Sequence, residues 1–156
     1  MMWKIKYGRM LPQRKSLPHD IPFWVKSGAE YFITICCKER GRNQLCRDSV
    51  FELITESLAF RQARGDLWVH LLVLMPDHLH VIMSFNPRVG MKRSISQWKR
   101  YVSTNSDVVW QRDFFDHRLR QDESYIEKAH YVRMNPVRAG LIDQPGNWKF
   151  IWENRS

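Results

Sequence analysis

From residue 67 to 74 the chain reads Leu-Trp-Val-His-Leu-Leu-Val-Leu, nearly unbroken apolar sequence of strand length. Across Pro76-Asp77 it continues as His78-Leu79-His80-Val81-Ile82-Met83. Two such runs joined by a proline-led turn predict successive β-strands, the first consistent with a central position in a sheet. Side chains alternate along a strand, so His78 and His80 point the same way while Leu79, Val81 and Met83 pack on a core behind them. The expectation is a pair of imidazoles on one exposed face of an anchored strand. Neutral imidazole is the commonest biological ligand of divalent transition metals. Two ligands do not define a site, so the remaining parts must come from elsewhere in the chain.

Residues 31–37, β-branched and aromatic, predict a first strand. Ser49 and Glu52 form a capping-box pattern that opens a helix with Phe51, Ile54 and Leu58 inward and Gly65 as its stop. After a break at residues 87–90, residues 94–103 predict a basic helix with Ile95, Trp98 and Val102 on one side and Lys99 and Arg100 exposed. Val108-Val109-Trp110 is a short apolar piece, followed by the run 114–120. Asp122 can cap a last helix over 123–135, ended by Pro136 because proline disfavours helix in its predecessor. Residues 1–29 read as arm or loop, with 1–21 a basic N-terminal arm, and the chain from Gly140 on as a tail (143–156). This order predicts one α+β domain over residues 1–156, a mostly antiparallel sheet covered by helices.

Hydrophobic residues make up 44% and aromatic residues 13%, which excludes a disordered chain. Without a long apolar run or a signal-peptide pattern, the reading is a cytoplasmic protein with no membrane partner. Lysine and arginine number 25 against 16 acidic residues. That excess favours a polyanionic partner held through phosphate contacts, and aromatics interleaved with arginine suit stacking on unpaired bases. Cys36, Cys37 and Cys46 lack a CxxC pair and read as reduced packing residues.

On a helical wheel of about 100° per residue, Tyr125, Ile126, Ala129 and Val132 form one apolar stripe. Tyr131 and Asn135, four apart, fall together on another side. Taken singly, Tyr131 is a half-buried surface aromatic and Asn135 a helix C-cap. Joined to the His-x-His pair in a strongly basic chain, they point to chemistry. With Asn135 near His78 and His80, a divalent metal gains three ligands and keeps open positions for substrate oxygens. A tyrosyl hydroxyl is then a possible nucleophile once activated, its ordinary pKa being about 10.

These residues carry a resemblance. Met75-Pro76-Asp77-His78-Leu79-His80-Val81-Ile82 resembles the HUH motif (histidine, hydrophobic, histidine) of single-tyrosine transposases. The segment from Tyr131 through Asn135-Pro136-Val137-Arg138-Ala139-Gly140-Leu141 is similar to the tyrosine helix of the REP-associated tyrosine transposases. The residues from Trp24 to Ile35 and from Trp110 to His117 match that family's style, so the resemblance spans roughly residues 22–150. It implies a ferredoxin-like sandwich and a metal-dependent endonuclease and strand transferase acting on single-stranded or hairpin DNA. Tyr131 would form a 5′-phosphotyrosyl intermediate and release a 3′-hydroxyl. His78, His80 and Asn135 would hold Mg²⁺ or Mn²⁺, and no small-molecule cofactor is expected. Relatives of the insertion-sequence branch often carry glutamine as third ligand, so Asn135 points to the repeat-associated branch. Lys99, Arg100 and Arg138 are the expected phosphate contacts, and one tyrosine per chain suits a monomer or a homodimer. Strand alternation aims Asp77 away from the histidines, which leaves it outside the site, although it could still help to orient a ligand from behind. His117 reads as structural rather than as a base or ligand, and His70 as a satisfied core histidine. Two rivals are a domesticated, non-catalytic DNA-binding protein and a small metal-dependent hydrolase in which Tyr131 only binds substrate.

Overall fold

The apolar runs pair as antiparallel neighbours, β2 (Leu67–Leu74) and β3 (His78–Phe85), in a computed structural model that describes residues 22–120 and 122–154. β1 (Glu30–Cys36) pairs with the other edge of β3, β4 (Phe115–Leu119) with β1, and β5 (Ile151–Glu153) with β2. The sheet order is β4-β1-β3-β2-β5, antiparallel throughout. A short helix α1 (Phe23–Ser27) precedes β1, α2 (Asp48–Arg64) joins β1 to β2, and α3 (Met91–Thr104) joins β3 to β4. The succession β1-α2-β2-β3-α3-β4 in spatial order 4-1-3-2 is a ferredoxin-like sandwich. Helix α4 (Asp122–Arg138) and β5 are added to it.

Each sheet face has its own core. On one, Phe51, Ile54 and Leu58 of α2 and Ile95, Trp98 and Val102 of α3 pack against Ile33, Ile35, Leu79 and Val81. On the other, Tyr125, Ala129 and Val132 of α4 pack against Leu71, Val73 and Ile82. The Trp98 indole donates to Ser57 Oγ at 2.9 Å and ties α3 to α2.

One extra residue decides which side chains of β2 enter which core. Val69 opposes Met83 but Leu71 opposes Ile82, so His70 is the added residue of a β-bulge. Leu67 and Val69 before it, and Leu72 and Leu74 after it, belong to the α2–α3 core, whereas Leu71 and Val73 face α4. Because β2 is apolar at almost every position, hydrophobicity alone does not select the parity; the bulge does. His70 is buried with Nε2 2.9 Å from Ser84 Oγ, and its carbonyl accepts the Asn154 N–H at 3.1 Å, so it is the satisfied core histidine the sequence suggests.

Several expectations need correcting. The Ser49–Glu52 capping box does not form: α2 starts at Asp48 with Arg47 at its N-cap and no capping side chain. Asp48 supplies the acidic charge the first turn favours. Helix α3 begins at Met91, three residues before the expected start. Helix α4 runs through Pro136 to Arg138. It closes where Gly140, at φ +74°, lets its N–H reach the Val137 carbonyl at 2.9 Å and the Leu141 N–H reach Pro136 at 2.9 Å. Ile126 is 67% exposed, because the buried stripe runs through Tyr125, Ala129 and Val132 and excludes it. The expected tail contains β5, whose pairing with β2 the short apolar segment 150–152 does not announce. The run 114–120 contains the edge strand β4, charged and mostly exposed. The assigned arm 1–21 and His19 lie outside the described residues.

The three cysteines are free. Burial, and then the charge of Asp77, push the Cys37 and Cys46 thiols up to about 12, so both are unreactive packing residues. Among the described residues no helix is long and apolar enough to cross a membrane.

Because His70 is the added residue, deleting it leaves Val69 opposite Met83 and Leu71 opposite Ile82 in regular alternation, and cooperative unfolding in urea, followed by tryptophan fluorescence, is expected to be retained. His70→Ala keeps the register but strands the Ser84 hydroxyl, and is expected to cost about 1–3 kcal/mol in the same measurement. A deletion variant that loses the cooperative transition would show that the bulge itself is needed for the register.

Candidate functional site

His78 and His80 do share one face of β3, but it is not open. Helix α4 covers it, and His80 is only 7% exposed. The β1–β3 register sets Thr34 opposite His80 and Cys36 opposite His78. Thr34 Oγ1 thereby meets His80 Nδ1 at 2.9 Å, and Phe32, one pleat along, stacks on the His80 ring at 5.3 Å and 23°. The two imidazoles stand edge-to-face with centroids 4.9 Å apart. Burial, reinforced by the charges of His78, Lys128 and Arg138, pulls the His80 pKa down to about 3, so its ring is neutral at physiological pH.

Asp77 does not point away from the histidines. Asp77 ends the turn before β3 begins, so strand alternation does not govern it, and its Oδ1 accepts the His78 Nδ1–H at 2.7 Å. Its Oδ2 accepts Arg40 Nε at 3.0 Å and the Gly41 N–H at 2.7 Å. Burial opposes the charge, but the Gly41 amide, His78 and Arg40 outweigh it and hold the carboxyl well below the usual range. Both imidazoles are thus engaged through Nδ1, and neither Nε2 has a hydrogen-bond partner among the described residues.

From above, α4 contributes Tyr131, which is 46% exposed with its ring 6.4 Å from that of His80. Lys128 Nζ lies 4.7 Å from the Phe32 ring centre and 5.2 Å from that of Tyr131. The Arg138 guanidinium covers Tyr131 at 4.3 Å and donates to its carbonyl at 2.5 Å. The phenol therefore sits between two cations, neither paired with a carboxylate among the described residues. Asn135 is inside regular helix, its carbonyl accepting the Ala139 N–H at 3.0 Å. Lys128 lies over Phe32 and Tyr131 beside His80, so α4 advances toward the Cys36–His78 end of the strands. One further turn, a rise of about 6 Å, matches a two-residue step along β3 and carries Asn135 that way.

Lys99 and Arg100 stand apart from this group. They lie on α3, across the sheet from Tyr131, in an open groove of about 450 Å³ with Arg112. Lys99 is not the free side chain expected: Nζ donates to the carbonyls of Gln111 at 2.8 Å and Arg112 at 3.1 Å, and burial lowers its pKa. His117 is exposed on β4, opposite Phe32 in register. Sequence reasoning missed Lys128 and Thr34. Lys128 was detectable, being three residues before Tyr131 on one helix face; Thr34 required the strand register.

A divalent cation suits this donor set. Two imidazoles with free Nε2 atoms are metal donors, and a hydrogen bond at Nδ1 is their usual support. Among the described residues no three of histidine, cysteine, aspartate and glutamate converge, so a third protein donor has to be of another type, such as the Asn135 amide.

A family model described as Transposase IS200 like matches residues 25–133. The REP-associated tyrosine transposase of Escherichia coli K12 is 23% identical over 133 residues, spanning 82% of this chain and 78% of its own length. A putative REP-associated tyrosine transposase of Haemophilus influenzae is 23% identical over 146 residues, covering 79% of this chain and 78% of its own. Among solved structures, a REP-associated tyrosine transposase bound to a REP hairpin superposes with a TM-score of 0.69 at 20% identity, covering 80% of this chain and 76% of that one. This last likeness establishes the shared fold.

The buried neutral His80 has a consequence for stability. Its folded pKa lies below its unfolded value, so between about pH 6.5 and 3 the unfolded chain binds the extra proton. Its contribution is intact above that window and is lost as pH falls. The metal-free protein is expected to lose roughly 1–2 kcal/mol between pH 7 and 5 in urea titrations, with a flatter profile in His80→Asn. An equally steep profile in that variant would assign the loss to other groups.

Proposed function

The chain belongs to the IS200-like transposase family, and from that premise we propose that it cleaves and rejoins single-stranded DNA beside hairpin-forming repeats, using Tyr131 as nucleophile. The observation that carries this reading is the Tyr131 ring set against His80 and flanked by Lys128 and Arg138. A nucleophile surrounded by unpaired cations suits an anionic electrophile, and a phosphodiester is the anion this family handles. The solved relative is bound to a REP hairpin, which makes hairpin DNA the substrate class to test first.

In this reading Tyr131 Oη loses its proton to solvent and forms a bond to phosphorus. The P–O3′ bond breaks, and the departing 3′-oxygen takes up a proton. The downstream strand remains as a 5′-phosphotyrosyl adduct, and attack by another 3′-hydroxyl reverses the step and joins strands. Lys128 and Arg138 offset the charge on the phosphoryl oxygens and the phenolate. His78, His80 and Asn135 would hold Mg²⁺ or Mn²⁺, which polarises the phosphoryl group and aligns it for in-line attack. With Asp77 accepting from the His78 Nδ1–H and the Thr34 hydroxyl bonded to His80 Nδ1, the Nε2 atoms of both rings would be left to the metal.

Hairpin oligonucleotides labelled at the 5′ or the 3′ end test this. A denaturation-resistant adduct is expected only with the fragment downstream of the cut, dependent on divalent metal and absent in Tyr131→Phe. Binding without cleavage would support a DNA-binding protein that lacks the chemistry, and cleavage by Tyr131→Phe would support a water-using hydrolase. Lys128→Met is expected to slow adduct formation by at least about tenfold in single-turnover assays, of the size one preorganised charge supplies. A wild-type rate would remove Lys128 from the chemistry.

A further inference from the structure

The geometry points to Asp77 as the residue that positions His78 for metal binding, with Arg40 and Gly41 holding it in place; the inference rests on the metal site proposed above. A histidine presents a lone pair at Nε2 only when its proton is on Nδ1, and a ligating ring must also be fixed in rotation about its χ angles. A carboxylate on Nδ1–H does both. Asp77 Oδ1 is 2.7 Å from His78 Nδ1, and its second oxygen is occupied by Gly41 N–H at 2.7 Å and Arg40 Nε at 3.0 Å. The carboxylate therefore cannot swing between partners. Each oxygen has its own donors, and the free rotation that blurs a surface aspartate is removed.

The backbone around it is equally determined. The Cys37 N–H donates to the Asp77 carbonyl at 2.8 Å, and the Gln44 and Leu45 N–H groups donate to the Pro76 carbonyl at 2.8 and 3.1 Å. The loop after β1 thus grips the turn at three main-chain points as well as at the carboxylate. His80, by contrast, is supported by a neutral hydroxyl from Thr34 and by burial against Phe32. The two imidazoles are held by different chemistry, and only the support of His78 reaches outside the sheet. A change in the loop at Arg40 would be transmitted to the site through a single carboxylate.

The test uses the full chain without DNA. Mn²⁺ titrations followed by electron paramagnetic resonance measure metal affinity, and long-range ¹H–¹⁵N NMR of the metal-free protein reports the His78 tautomer. Asp77→Asn is expected to weaken Mn²⁺ binding about 10–100-fold and to convert His78 from the Nδ1–H form to a tautomer mixture. Arg40→Gln, which leaves both neighbours of the hydrogen bond in place, is expected to shift both readouts in the same direction by less, and covers the case of an unfolded Asp77→Asn. Asp77→Glu should recover part of the affinity. A merely structural role would lower the melting temperature while leaving the tautomer untouched. If His78→Ala abolishes Mn²⁺ binding while Asp77→Asn keeps wild-type affinity and tautomer, the positioning role is wrong and the metal site stands. If His78→Ala binds Mn²⁺ as wild type does, the metal site itself is wrong and the positioning role falls with it.

Discussion

The antiparallel register of β1 on β3 is the constraint on which the site rests. It puts Thr34 across from His80, Cys36 across from His78, and Phe32 within stacking distance of the His80 ring. An imidazole buried without a partner would cost on the order of 1–3 kcal/mol. Here the hydrogen bond from the neighbouring strand offsets that cost and at the same time engages Nδ1. A one-residue slip would send Thr34 and Phe32 to the α2–α3 core and bring Ile33 or Ile35 against the histidines. The alternation of β1, with Ile33 and Ile35 buried in that core, prevents the slip. The same packing that stabilises the sandwich thereby fixes the chemistry on its opposite face.

Electrostatically the site is one-sided. Its cations, Lys128 and Arg138, lie over aromatic rings, and the nearest carboxylate, Asp77, is already saturated by Arg40, Gly41 and His78. Burial decides the state of His80: desolvation and the neighbouring positive charges act in the same direction and keep the ring neutral. That leaves Lys128 and Arg138 as the unneutralised charge. Two unit charges about 4 Å apart interact by roughly 4 kcal/mol at the effective dielectric of a protein surface. Among the described residues neither cation is paired with a carboxylate.

Much of this was legible in the sequence, and the failures have identifiable causes. The β2–β3 pair, the inward residues of α2 and α3, and the joint face of Tyr131 and Asn135 follow from periodicity, which local chemistry enforces. What periodicity does not carry is anything set by a second element. The edge strands β4 and β5 are short, and β4 is charged, so their strand character comes from a neighbour's unpaired backbone rather than from their own residues. Pro136 suggested an end to α4, but the proline removes only its own N–H, and the helix continues to Arg138 before the Gly140 and Leu141 N–H groups close it on the Val137 and Pro136 carbonyls. Asp77 was misplaced because alternation was extended one residue beyond the strand that justifies it. Lys99 was expected to be freely exposed because helix periodicity does not report the loop whose Gln111 and Arg112 carbonyls it binds.

The division of labour between the two faces explains why Tyr131 sits where it does. The α2–α3 face contains most of the large buried side chains, including Phe51, Trp98 and Leu79, and closes the sandwich without α4. The α4 face is a smaller core, and its polar margin is where His78, His80, Tyr131 and Lys128 meet. Polar groups are costly in a main core and tolerable at the edge of a secondary one, where solvent and substrate can complete their hydrogen bonds. The bulge at His70 absorbs one extra residue, and beyond it Leu71 and Val73 face α4 while Leu72 and Leu74 face the main core. Without those two side chains, α4 would have little on β2 to rest on. The helix that carries Tyr131 is thus held over the histidines in part by two β2 side chains beyond the bulge.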